Sequence, residues 1–440
     1  VSSEQPELAR RVTYRGAVAI GLASMIGAGV FSVFAPAAAA AGQLLLVGLA
    51  IAAFVAFANA SSTAQLAARY PESGGAYRYG RARLGEWPGF LAGWGFVVGK
   101  TASCAAMAMT AAAYLVPTEW QRPAAIAAVV VIAAVNLRGI TRTTRAATAI
   151  VTIVLAVLAL VIVAGIVVAV MRATTGISFG FVAGDEASAR ILLAPDTGEA
   201  AVSPYGVLQS AGMMFFAFAG YARIATLGEE VVDPARTIPR AIQTSLGVVF
   251  ALYAGLAVTL LAALGPAALA ASDAPLADTV ALAGWAWAEP VVRVGAGLAA
   301  LGALLALVAG IGRTALAMAR DRELPAPLAA VHPRYRVPHI AEASVAVAVI
   351  VLILVADLRG AIGFSSFGVL VYYLVANLAA VTQPRAERRV PRALSIAGAS
   401  GCLVLVATLP WPSVVAGVAV FAIGAAGRAI VLARRRRLTA

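Results

Sequence analysis

Long apolar runs follow one another from Ala17 to Leu432, and that recurrence limits the fold more than any other feature of the chain. Of 440 residues, 62% are hydrophobic and 12% charged, more apolar surface than a soluble core of this length can hide. A helix crossing a bilayer needs about 20 apolar residues. Twelve runs near that length are expected as spans, at 15–41, 44–68, 88–116, 123–138, 145–171, 204–228, 239–265, 290–319, 339–356, 359–381, 392–409 and 411–432. The fold class is therefore an all-α polytopic membrane protein. The first run is too long for a secretory signal, and no A-x-A-like site follows it, so none is expected.

Charge then sets orientation. The formal net charge of +13 is gathered in short loops rather than in a nucleic-acid patch. The N-terminus and the 2–3, 4–5, 8–9 and 10–11 loops carry arginines, and the C-terminus reads "ARRRR"; the 7–8 loop has Asp273, Asp278 and Glu289 before Arg293. The positive-inside rule places both termini in the cytoplasm, a parity that twelve spans satisfy. The localisation expected is the plasma (inner) membrane. Two cysteines, Cys104 and Cys402, and two histidines, His332 and His339, make no metal or catalytic spacing. No metal, no cofactor, no nucleic acid and no enzymatic activity are expected; the oligomeric state is left open.

Two spans are weakened where a bilayer tolerates it least. "GLASMIGAGVF" (21–31) places Gly21, Gly27 and Gly29 inside the first, and "FAFAG" (216–220) places Gly220 inside the sixth. Glycine disfavours a helix interior by about 1 kcal/mol relative to alanine, and lipid leaves freed backbone groups without water. The spans after each break match at a roughly constant offset. Five spans is an odd number, so the second set runs inverted. Inverted repeats that open with interrupted helices indicate a secondary transporter with its site at the breaks. Freed N–H groups suit a carboxylate and freed carbonyls suit an ammonium, the two charges of an α-amino acid. The alternative, glycines for helix packing, is outweighed by two breaks at matching places. The units expected are a cytoplasmic N-terminus (1–14), two five-helix repeats (15–171 and 204–381), an extracellular loop between them (172–203), two further helices (392–432) and a basic tail (433–440).

The first motif resembles the broken first helix of the amino acid–polyamine–organocation (APC) superfamily. "FFAFAGY…GEEVVDPARTIPRAI" (215–242) is similar to its sixth helix and following loop, "PESGGAYRYGRARLG" (71–85) to its 2–3 loop and "AMARDRELP" (317–325) to its 8–9 loop. The resemblance runs through nearly the whole chain, in order. It implies the LeuT-type 5+5 inverted-repeat fold plus two helices, and alternating-access transport of amino acids. It implies a substrate site at Met25, Ile26, Gly27, Ala28, Gly29, Phe216, Ala217, Phe218, Ala219 and Gly220. The carboxylate meets the N–H groups of Ala28 and Gly29; the ammonium meets the carbonyls of Met25, Phe216, Ala217 and Ala219. Phe216 takes the place of the aromatic gate. Arg313 is expected to be structural, Glu229 and Glu230 an inner latch, and Ser365, Ser366 and Tyr372 either lining or backbone-bonding.

Lys100 is the only lysine among 33 basic Lys and Arg residues. It lies 13 residues beyond Trp87, about 20 Å into the span at 1.5 Å per residue. Its side chain, roughly 6 Å long, cannot reach either surface. A charge at that depth costs at least about 2.5–3.5 kcal/mol and marks a cavity or a partner. Unlike arginine, a lysine can release its proton when buried. The superfamily often keeps such a lysine on its fifth helix, where Leu155 stands here. Lys100 is therefore expected in the coupling position near helices one and eight, making proton-coupled symport the leading function. The alternatives are an exchanger, a polyamine or amine carrier, and, in another class, a transceptor or regulatory membrane protein. No carboxylate occupies the centre of any expected span, which disfavours the amine carrier.

Overall fold

The computed structural model describes residues 12–27, 29–70, 74–138, 144–175, 203–225 and 231–439. Among them the chain is helical throughout, with one isolated bridge, Val12 to Val231, as its only β pairing. Among the described residues, nine helices are long and apolar enough to cross a membrane. Two apolar helices of 17 residues, His339–Val355 and Arg392–Thr408, stand at the ninth and eleventh expected places. The sixth place is interrupted. The helical segments below keep the numbers of the expected spans.

Segment one is Tyr14–Ile26, Gly29–Ser32 and Phe34–Ala41; segment two is Leu45–Arg69. Segment three is Glu86–Leu115, four is Gln121–Leu137 and five is Thr144–Thr175. Segment six is Pro204–Phe218, a 3-10 turn at Ala219–Tyr221 and a last helical turn at Ala222–Ala225. Segments seven, eight, ten and twelve are Pro234–Leu264, Glu289–Arg320, Leu358–Val381 and Trp411–Thr439. Starts are set by local chemistry. Ser203 and Asp357 accept from the N–H groups of Gly206 (3.0 Å) and Gly360 (2.8 Å). Proline opens segments six and seven, where its missing N–H is harmless.

Two of the loops hold helices of their own. Helix Ala76–Leu84 follows Gly74 and Gly75, both at positive φ, where the 2–3 loop turns. The 7–8 loop holds two short helices, Pro266–Ala271 and Pro275–Leu282. The expected long 5–6 loop, from 176 to 202, and Glu229 and Glu230 lie outside the described residues.

Small residues let the helices approach, as packing within lipid requires. A Cβ at Gly95 would stand 2.7 Å from the carbonyl oxygen of Gly368, and one at Gly99 3.1 Å from the Gly368 Cα, so segments three and ten touch backbone to backbone. The arginine-bearing loops gather at one end. Glu323 of the 8–9 loop pairs with Arg81 of the 2–3 loop and, at 3.1 Å, with Arg428 of segment twelve. Tyr77 donates to Asp321 at 2.6 Å, and Arg69 meets Glu387 of the 10–11 loop at 3.2 Å.

Candidate substrate site

Both breaks fall where the glycines are. The first helix stops at Ile26; Gly27 leaves helical geometry (φ −38°, ψ −124°), and a new helix starts at Gly29. Val33 does not interrupt it, since Val33 N bonds Gly29 O and Ala37 N bonds Val33 O. In segment six the helix ends at Phe218 and tightens through Ala219, Gly220 and Tyr221.

The two breaks lie against each other. A Cβ on Gly29 would come to 2.8 Å from the Ala217 Cα, and one on Gly27 to 2.7 Å from the Ala303 Cβ of segment eight. A Cβ on Gly220 would strike the Ser24 carbonyl and lie 2.7 Å from the Met25 nitrogen. These glycines therefore admit one main chain to another. Met25, Ile26, Gly27, Gly29 and Phe216 to Ala219 are all buried, and Gly220 partly so. Ala28 lies outside the described residues.

All four carbonyls expected to receive an ammonium have a protein donor within reach, two of them sharing one. Tyr253 of segment seven reaches Met25 O at 2.7 Å and Ala217 O at 3.3 Å. The Ala219 N–H donates to Phe216 O across the end of the helix. Ala219 O accepts from Tyr373 Oη at 3.2 Å and from Lys100 Nζ at 3.3 Å. Lys100 is thus buried at the broken sixth helix.

Tyr253 and Tyr373 escape sequence reasoning, because a lone tyrosine in an apolar run reads as core. Tyr372 takes the backbone-bonding option: its hydroxyl accepts from the Ala76 N–H at 3.0 Å and pins the 2–3 helix. Ser365 bonds Ser103 at 2.6 Å, tying segment ten to segment three. Arg313 lies within electrostatic reach of Glu342 on segment nine, consistent with a structural part.

The arrangement brings main-chain groups of two interrupted helices together, with one cationic side chain at the Ala219 carbonyl. The family model described as "Amino acid permease" matches residues 12–432. An uncharacterised transporter of Mycobacterium tuberculosis is 53% identical, over 98% of this chain and 94% of its own. Cationic amino acid transporter 7, chloroplastic, of Arabidopsis thaliana is 30% identical over 86% of this chain and 66% of its own. The branched-chain amino acid permease BcaP of Bacillus subtilis is 24% identical over 90% and 87%. A match through 421 consecutive positions, both breaks included, leaves one assignment: the chain is a multi-pass membrane protein of the amino acid permease family.

Proposed function

We propose that this protein moves L-amino acids across the plasma membrane by alternating access, with a proton as the coupling ion and Lys100 as its carrier. The observation that carries the reading is the meeting of two interrupted helices at Gly27–Gly29 and Ala219–Tyr221. An α-carboxylate fits the N–H groups of Ala28 and Gly29. An α-ammonium fits the carbonyls of Met25, Phe216, Ala217 and Ala219, exchanging with the donors now on them. Ile26, Gly27, Phe218 and Gly220 shape the passage between. The relatives named above take cationic and branched-chain amino acids respectively. A site made of main chain suits that range, since it reads what all amino acids share.

The same reading takes 15–171 and 204–381 as the inverted five-helix repeats, 392–432 as two added helices, and both termini as cytoplasmic. Lys100 is placed to couple the two, because its Nζ lies 3.3 Å from Ala219 O on the broken sixth helix. In this reading proton and substrate cross together.

Proteoliposomes given labelled L-amino acids on the outside, with and without a pH gradient, test this directly. Uptake should rise with an inward proton gradient. Removing either the α-carboxylate or the α-amino group of a good substrate should abolish competition. A decarboxylated amine that competes as well as its parent would make the amine carrier the right reading. Lys100→Ala and Lys100→Arg should both lose the pH-dependent part of uptake. Full gradient-driven uptake by Lys100→Arg would rule out titration at this position.

A further inference from the structure

A column of buried polar side chains lies between segments two, ten and eleven, outside the candidate site. Its members are Asn59, Ser62 and Thr63 on segment two, Asn377 on ten, and Ser395 and Cys402 on eleven, none more than 1% exposed. Polar groups in a lipid-bathed bundle are costly unless bonded. Here the bonding is incomplete. Asn377 Nδ2 donates to Asn59 Oδ1 at 2.6 Å and to Tyr373 O at 3.0 Å. Cys402 Sγ donates to Asn59 Oδ1 at 3.4 Å, and Ser62 Oγ to Ser395 Oγ at 2.9 Å. Asn59 Nδ2, Asn377 Oδ1 and Thr63 Oγ1 are buried with no protein partner. Room for the Asn377 amide exists because residue 398 is glycine: a Cβ there would stand 2.7 Å from Asn377 Oδ1.

The column has two ends. At the inner end Tyr373 Oη shares the Ala219 carbonyl with Lys100 Nζ. The Tyr221 ring stacks on Tyr373 at 4.9 Å, and its hydroxyl interacts electrostatically with that of Tyr373 and with the Cys402 thiol. At the outer end Gln65 Oε1 accepts from Arg389 N at 3.1 Å. Gln65 Nε2 and both polar atoms of Gln383 are buried without protein partners. Arg69 and Glu387, paired at 3.2 Å, mark the emergence into the arginine-bearing loops. Open donors and acceptors spaced about one helical turn apart are what ordered internal water needs, two to four polar partners each.

We propose that this column holds ordered water and carries the Lys100 proton to the arginine-rich end of the protein. The proposal rests on the reading that Lys100 carries a coupling proton. The titratable groups facing Lys100 are Cys104, one turn along its own segment, and Tyr373 of segment ten. One N–H bond of the ammonium breaks and its proton joins a neighbouring oxygen lone pair, leaving a neutral amine. Each water or hydroxyl in turn accepts one proton and passes another, so one proton leaves and the column is unchanged. The two asparagines hold the waters and do not ionise.

The test uses the full chain in vesicles with a pH-sensitive dye inside and a mixture of labelled L-amino acids as probe. Asn377→Leu and Asn59→Leu should slow amino-acid-driven proton entry by about tenfold or more, while counterflow exchange of the labelled mixture stays within about twofold. Asn377→Ser, which keeps a hydroxyl in place, should restore proton entry. Leucine variants with wild-type proton entry would overturn the column. Hydroxyl-radical footprinting of the unmodified protein gives a reading free of any folding defect. Cys402 is 0% exposed, yet it should be oxidised rapidly by radicals formed from water beside it, and an unlabelled Cys402 would overturn the proposal. Amino-acid uptake by the unmodified protein with no proton movement would overturn the coupling reading and the column with it, before any variant is made.

Discussion

Tyr253 has one hydroxyl proton and two carbonyls in reach, Met25 O at 2.7 Å and Ala217 O at 3.3 Å, one from each broken helix. It can satisfy only one of them at a time. Its ring is fully buried against Phe34 and Phe218, with centroids 6.4 and 5.1 Å away. Tyr253→Phe keeps that packing and leaves both carbonyls without this donor. The expected cost is about 1–3 kcal/mol, the usual penalty for an unmet buried polar group. It should appear as a lower melting midpoint of the purified protein in detergent; an unchanged midpoint would mean that other donors replace the hydroxyl. The glycine motifs were legible in the sequence because glycine is anomalous inside a spanning helix. Tyr253 and Tyr373 were not, because their significance is set by which carbonyl faces them after folding. Gly29 shows the same limit in reverse. Its N–H was foreseen as a ligand for carboxylate, but the 2.8 Å approach of Ala217 to a Cβ there depends on tertiary packing alone. A branched side chain at Gly29 would thus push the two segments apart as well as block the proposed substrate.

At the scale of elements, helix boundaries followed the apolar runs closely, since lipid allows a spanning chain few structures besides a helix. The amphipathic pieces between them were less legible. The 7–8 loop forms two short helices with separate proline starts, Pro266–Ala271 just before the apolar stretch at 272–290 and Pro275–Leu282 within it. The second helix carries Asp278, which accepts from the Ser272 hydroxyl. Burial pushes the Asp278 carboxyl above the ordinary carboxylate range, against the opposing pull of Ser272 and Arg293. A raised folded-state pKa means the folded protein binds this proton more tightly than the unfolded chain. Its contribution to stability is therefore greatest below the ordinary carboxylate pKa and falls as pH rises through the folded value. Asp278→Asn should flatten the melting midpoint against pH over the mildly acidic window just above that ordinary range. The slope should persist unchanged in the variant if another carboxylate is responsible.

The whole molecule is organised by an asymmetry of charge between its two ends. The loops tied together by Glu323 with Arg81 and Arg428, and by Arg69 with Glu387, are those richest in arginine. The loop with Asp273 and Asp278 has no basic residue before Arg293. Orientation in the membrane follows from that bias rather than from any feature of the helices, so it can be tested separately from the site. Both native cysteines are fully buried, and a bulky membrane-impermeant maleimide has no native thiol to reach. A cysteine at Asp273 should therefore react in intact cells, and a cysteine at Thr439 should react only after the membrane is opened. An even number of crossings separates the N-terminal arm from the C-terminal helix if all twelve segments span. A third variant, Thr13→Cys, should then behave as the one at Thr439 does. Labelling of Thr13→Cys alone from outside would mean an odd number of crossings and one apolar helix lying in the interface. The 17-residue helices His339–Val355 and Arg392–Thr408 would be the first to examine, because they are shorter than the span of a typical hydrocarbon core.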